Sequence, residues 1–256
     1  MNKYIVVSTN NNPDYMFYAP FIEKAWNKYG WSLAVVVTAD VDEKDLKLVN
    51  PSSVVIRMPD IPSIRKETIA QAGRLYAANH FEDGETLLMT SDMDLLPLSD
   101  YWHPDPNNIT VYGHDLTWYS FYPMGYIAMT ASNWRNYMKL FGDTGRELLR
   151  DANDKNFEAH NPLSNDWETW WGFDWHMITT KLSPYKDRIT FINRGQVQVA
   201  GNTLALGRVD RFNFDATLLN CESTNTYIDC HAENNNVRHE SKLNKFISLF
   251  EKFYGK

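Results

Sequence analysis

Two aspartates one residue apart, Asp92 and Asp94, interrupt an apolar run, LLMTSDMDLLPLS, at residues 87–99. A carboxylate in apolar surroundings is costly unless it is paired or bound to a metal. Residues i and i+2 of an extended segment point to the same side, so a strand running through both would present their carboxylates together. A divalent cation relieves the repulsion within such a pair. Hard cations such as Mg²⁺ or Mn²⁺ are commonly held by one or two carboxylates plus substrate phosphates. The chain carries its own control: Asp40-Val41-Asp42 also follows an apolar strand, LAVVVTA, but the charged stretch EKDLK comes next. Asp40 is therefore expected to cap a solvated helix. Asp92 and Asp94 have apolar flanks on both sides and no such explanation.

The elements that must position this pair are legible in the first half. KYIVVST, WSLAVVVTA, SSVVIRMP and ETLLMTSDMD have the β-rich composition of buried strands. Between them, YMFYAPFIEKAWNKYG, DEKDLKLV and SIRKETIAQAGRLYAANHF have helical spacing or helix-forming composition. Strands alternating with helices imply a parallel sheet with crossovers, and ligands of such sheets bind beyond the carboxyl ends of the strands. The second half is less regular. NITVYGHD, WYSFYPMGYIAMT and DRITFINRG read as strands, and ASNWRNYMKLFGDTGRELLRDA and DWETWWGFDWHMITTKL as helices. No linker or composition shift divides the 256 residues. The expectation is one α/β domain, with a nucleotide-binding half over about 1–100 and an acceptor-side half over about 101–256.

Bulk composition narrows the function. A net charge of −7 argues against nucleic-acid binding. No run of apolar residues is long enough to span a membrane or resembles a signal peptide, so a cytoplasmic protein is expected. The two cysteines, Cys221 and Cys230, have no metal-binding spacing and read as free thiols. Nine Trp and fourteen Tyr suit both a core and a sugar-binding surface.

An apolar strand ending in Ser91-Asp92-Met93-Asp94 and followed by LLPL resembles the metal-binding D-x-D of the GT-A glycosyltransferases. Other segments follow that family in order. YIVVSTNNNPDYMFYAPF resembles the first strand and its nucleotide-binding loop. FYPMGYIAMTASNWRNY is similar to a segment of the glycogenin-like enzymes, with Met124-Gly125 at the turn. WETWWGFDWHMIT resembles the helix carrying an acidic residue near the acceptor, and YIDCHAENNNVRHESK the late segment whose His completes the metal site. The general pattern also resembles small glycosyltransferases of large algal viruses. The chain departs from glycogenin-like enzymes in lacking the Gly-x-Lys-Pro-Trp after the late His, and has Gly172-Phe173-Asp174-Trp175 where many inverting members have Gly-Glu-Asp.

The resemblance implies a GT-A-type, Rossmann-like mixed sheet flanked by helices, and transfer of a sugar from a UDP-sugar to a glycan acceptor. It implies Mn²⁺ or Mg²⁺ on Asp92, Asp94 and His231, with His239 the alternative third ligand. Thr9, Asn10, Asn11, Tyr15, Arg74, Ser91 and Asp92 would meet the donor nucleotide; Asp174 would be the base if the reaction inverts, whereas a retaining course would need none. The bare residue types also allow plainer roles: TNNNPD suits a turn and helix cap, Arg74 a solvated helix face, and Trp167, Trp170, Trp171 and Trp175 a core. Two other functions keep a D-x-D or an aromatic-rich acidic chain. A haloacid-dehalogenase-type phosphatase would use Asp92 as nucleophile, although Leu96 stands where that family has Thr or Val. A non-catalytic carbohydrate-binding protein would need no nucleotide.

Overall fold

The computed structural model describes residues 1–116, 121–156, 170–199, 202–211, 227–232 and 240–255. Trp167, His160, His239 and Cys221 lie outside the described residues.

The first half folds as its alternating pattern requires. Strand β1 (Lys3–Thr9) is followed by the short helix α1 (Pro13–Met16) and by α2 (Ala19–Asn27). Then come β2 (Ser32–Val37), α3 (Glu43–Leu46), β3 (Val54–Arg57), α4 (Lys66–Gly73) with a 3₁₀ continuation over Arg74–His80, and β4 (Leu87–Thr90). The pairings β3–β2, β2–β1 and β1–β4 are all parallel. Both faces of these strands are covered, which is why they are nearly continuous apolar runs. Val6, Ala34, Val36 and Ile56 pack on one side with residues of α4. Ile5, Val7, Val35 and Val37 pack on the other with Trp26 of α2.

Beyond β4 the sheet becomes mixed. After β5 (Leu95–Pro97) come β6 (Ile109–Tyr112), β7 (Ile127–Thr130), α5 (Ala131–Met138), α6 (Thr144–Ala152), α7 (Phe173–Leu182) and β8 (Ile189–Ile192). The main sheet has seven strands in the order β3-β2-β1-β4-β7-β6-β8, with β7 antiparallel to both neighbours. The long helical stretch 131–152 is two helices, because Lys139 at φ 56° and Gly142 at φ 95° turn the chain between them.

Apart from the short apolar run before His231, the small strands of the second half carry no clear sequence signal. They are β9 (Gln196–Val199), β10 (Asn202–Ala205), β11 (Arg208–Asp210) and β12 (Asp229–His231), with α8 (Glu240–Tyr254) after them. β9 and β10 form a hairpin, while β11, β12 and β5 form a separate three-stranded sheet. Phe246 and Phe250 of α8 pack with Leu96, Val209 and Cys230 of that sheet, and with Tyr18 and Ala25.

Two local expectations are corrected. β4 stops at Thr90, so no strand runs through Asp92 and Asp94. Asp42, not Asp40, occupies the N-cap position of α3, and its side chain makes no capping bond. Asp40 instead accepts a hydrogen bond from Thr38 Oγ1 and pairs with Lys66.

Candidate active site

The last link of β4 to the main sheet is the Ser91 amide, which donates to Val6 O at 2.9 Å. The chain then leaves through a turn in which Leu95 N donates to Asp92 O at 3.2 Å, and β5 enters the small sheet. There Leu95 pairs with His231, and His231 with Asp210, while Ala232 N donates to Asp94 O at 2.9 Å. Pairing of short strands thus delivers His231 beside Asp94 from 137 positions further along the chain. This happens at the carboxyl end of β4, where ligands of open α/β sheets bind.

The two aspartates face different partners. Asp94 is buried, with its Oδ2 3.7 Å from His231 Nε2 and 3.3 Å from Arg211 Nη2. Burial raises the Asp94 pKa, and the nearby carboxylate of Asp92 adds to it, against the opposing pull of His231 and Arg211. His231 Nδ1 lies 3.4 Å from Asp210 Oδ2, and its Nε2 contacts Arg211. Asp92, with its side chain 39% exposed, is ion-paired to Arg74. Desolvation opposes its charge, but Arg74, His231 and Arg211 together hold it below the usual carboxylate range.

Arg74 is a buried hub. Its guanidinium donates to Asp92, to Ser91 O at 2.8 Å and to Asp174 Oδ2 at 3.1 Å. Gly73 keeps the helix close to the sheet here, because a Cβ would sit 3.0 Å from Val36 Cγ1 and 3.2 Å from Met58 Cγ, and those side chains would have to give by a few tenths of an ångström. Asp174 lies in the first turn of α7, after Gly172 at φ 90°, a conformation that favours glycine. Burial raises the Asp174 pKa, with Asp92 adding to it and Arg74 opposing. Asp174, Arg74 and Ser91 are all buried, so in this arrangement Arg74 reaches the crevice through Asp92.

Beside Asp92 and His231 lies a cavity of about 290 Å³, at the small end of ligand pockets. Tyr112, Phe121, Tyr126 and Trp175 line it, as do Met124 and Gly125. Its cationic wall is Arg194 and Arg208, which both clamp the fully buried Asp229 in fork-to-fork bonds of 2.7 to 3.0 Å. Burial would raise the Asp229 pKa, but the two guanidinium groups hold it well below the usual range. Asp229 is two residues before His231 on β12, so the clamp fixes the strand that carries the imidazole.

The N-terminal loop lies at the carboxyl end of β1. Thr9 is buried and its hydroxyl donates to Asn10 O. Asn10 Oδ1 accepts from Asn12 N, and Asn12 caps α1. Asn11 is exposed, and Tyr15 packs against the core under β2. Of the Trp residues, Trp170 is buried and Trp171 is 44% exposed.

Three solved structures share this architecture. The glycosyltransferase GlyE of Streptococcus pneumoniae TIGR4 superposes with a TM-score of 0.52 over 99% of the chain, at 11% identity. The galactosyltransferase LgtC, in complex with donor and acceptor sugar analogs, does so with a TM-score of 0.51 over 98%, at 14% identity. An active-site mutant of LgtC gives 0.53 over 95%, at 13% identity. The fold is the GT-A glycosyltransferase fold. The chain spans 63% of GlyE and 95% of LgtC. No protein-family model matches the sequence, and neither does any curated protein.

Within the GT-A fold, the residues present fit a divalent cation in their chemistry. Among the described residues no three His, Cys, Asp or Glu side chains enclose a metal by themselves. A hard cation that also takes substrate phosphates needs no such cage. Asp94 and His231 turn a carboxylate and an imidazole nitrogen toward one point, and Asp210 stands behind the other ring nitrogen, as carboxylates do behind metal-bound histidines. Arg211 places a positive charge at that same point.

Arg194, Arg208, Asp210, Arg211 and Asp229 escaped the sequence reading. Asp229 carried a usable signal, since YIDCH sets a carboxylate in an apolar run just as LLMTSDMD does. The arginines carried none, because their side-chain partners are 20 to 117 positions away.

Proposed function

We propose that this protein transfers a sugar from a nucleoside-diphosphate sugar, a UDP-sugar, to a hydroxyl of a carbohydrate acceptor. The observation that carries this reading is the meeting of Asp94 and His231 at the carboxyl end of the parallel strands of a GT-A fold. Asp94 and His231 would hold Mn²⁺ or Mg²⁺, with Asp92 next to them. When bound, the ion neutralises charge that develops on the departing diphosphate.

The chain's own residues then have distinct tasks. Asp210 orients the His231 ring. Thr9 at the end of β1, with Asn10, Asn11 and Tyr15 after it, would flank the base and ribose. Arg74 fixes Asp92 and, through its second bond, Asp174. The aromatic walls of the cavity exclude water from the reacting sugar and offer it flat faces. Asp174 precedes Trp175 of that wall but is buried and bonded to Arg74. To take the acceptor proton in an inverting reaction it would have to leave Arg74 and turn into the cavity, whereas a retaining reaction needs no such base. A phosphatase reading loses its support, since the structures this chain superposes on are glycosyltransferases.

The test is turnover of UDP-sugars with Mn²⁺, with and without oligosaccharide acceptors. Hydrolysis or transfer above background, lost in Asp94→Ala, is expected. No turnover of any UDP-sugar, or full activity in Asp94→Ala, would refute the proposal.

A further inference from the structure

Arg211 follows directly on β11, and its guanidinium enters the site from the side of the small sheet. Its Nη2 is 3.3 Å from Asp94 Oδ2 and contacts His231 Nε2, the two atoms that face each other across the proposed cation position. Its Nε is buried with no hydrogen-bond partner among the described residues, so the group is held there by its outer end. We propose that Arg211 is a built-in counter-cation: it occupies the Asp94–His231 position until a divalent ion displaces it, and the released guanidinium then takes the donor diphosphate. This inference rests on the reading of the crevice as a metal–diphosphate site.

Charge explains why such a group would be there. Asp94 and Asp210 flank one imidazole, Asp92 is the next carboxylate along the turn, and Arg74 is already engaged by Asp92 and Asp174. Buried carboxylates this close destabilise one another unless a cation lies between them. A guanidinium and a divalent ion cannot share the imidazole nitrogen, which has a single lone pair, and two cations on the same carboxylate oxygen repel. Occupation by one therefore opposes the other. The Arg211 side chain is 21% exposed, so it has a way out, and its planar donor fork matches phosphate oxygens. The consequence is a linkage. Metal binding alone must break the Arg211 contacts, whereas with a diphosphate present the displaced guanidinium finds a new partner. Metal and nucleotide should then strengthen each other's binding, reciprocally and by the same factor.

The experiment is Mn²⁺ titration followed by electron paramagnetic resonance, with and without UDP, on the wild-type chain, Arg211→Met, Arg211→Lys and Asp94→Asn. Arg211→Met should bind Mn²⁺ alone roughly tenfold tighter or more, the scale of one charge-assisted hydrogen bond. The enhancement of Mn²⁺ binding by UDP should shrink in the same variant. Arg211→Lys, which keeps the charge, should stay near wild type, and Asp94→Asn should lose the site. Thermal melts check that each variant is folded, and Arg211→Gln replaces Arg211→Met if the latter is not. If Arg211→Met binds Mn²⁺ no tighter while Asp94→Asn still removes binding, the counter-cation is refuted and the metal site stands. Tighter binding with undiminished UDP enhancement refutes the transfer of the guanidinium to the diphosphate. If no Asp94-dependent Mn²⁺ binding occurs in any variant, with or without UDP, the functional reading itself fails.

Discussion

Two Asp-x-Asp stretches leave the carboxyl ends of parallel strands in the same sheet, and they come to opposite ends. Asp40 and Asp42 follow β2 toward α3, where the half-buried Asp40 takes Thr38 and Lys66 as partners and Asp42, 66% exposed, sits 3.2 Å from Lys44. Asp92 and Asp94 follow β4 into a second sheet, where one is bound by a buried arginine and the other meets an imidazole from the far end of the chain. The spelling is the same. The difference is what arrives opposite: a short charged helix in one case, and in the other β12 with His231 and the end of β11 with Arg211.

Matched substitutions break this comparison if it is wrong. Asp94→Asn should lower kcat/KM for UDP-sugar turnover with Mn²⁺ by at least about 10³-fold, the scale of several kcal/mol of lost charge stabilisation. Asp42→Asn should leave it within about twofold. Steady-state kinetics on both variants decides whether position or motif carries the chemistry.

Removing the arginines sharpens it. Arg74→Met strands two acids that share one buried guanidinium, Asp92 and Asp174, and should cost about 3–5 kcal/mol in urea unfolding. Adding Asp174→Asn should recover part of that loss, because the pKa of Asp174 is already raised. Arg57→Met, which removes the partly exposed pair with Glu43 beside the first motif, should cost no more than about 1 kcal/mol.

A pH titration separates the regions next. Asp229 has its native pKa held far below that of a free carboxylate. Between the native value and about pH 4, the unfolded chain binds a proton that the native chain does not, so stability rises with pH there. The contribution is complete above about pH 4 and is lost as pH falls through the native value. Urea midpoints measured from about pH 5 down to about pH 2 should therefore fall more steeply in the wild type than in Asp229→Asn. The smallest effect belongs to Asp40→Asn, which should change stability by less than about 1 kcal/mol and leave turnover unaltered.

The same contrast marks how far the sequence could be read. The parallel half was legible because its strands are buried on both faces and its helices alternate with them. The placement of Asp92 and Asp94 just beyond β4 followed from that alternation. Their arrangement did not, since β4 ends at Thr90 and a turn, rather than a pleat, sets the two side chains. His231 was singled out through the resemblance of YIDCHAENNNVRHESK to the late segment of the GT-A enzymes. The strand that pairs β12 with β5 has three residues, and a run of that length has no period to detect. Arg211 and the Arg194–Asp229–Arg208 clamp depend entirely on that pairing, so nothing local announces them. The loop after β1 shows the converse: Asn10 and Asn12 make the turn and the helix cap that their residue types favour, whatever else they touch.

The most direct test of the account is a thermal-shift comparison of UDP and Mn²⁺, separately and together, on the wild-type chain and Asp94→Asn. Near saturation, UDP with Mn²⁺ should raise the wild-type Tm by roughly 5–10 °C, far more than either alone, and should leave Asp94→Asn nearly unmoved. Stabilisation by UDP that needs no metal and survives Asp94→Asn, or no response to any nucleoside diphosphate, would contradict it.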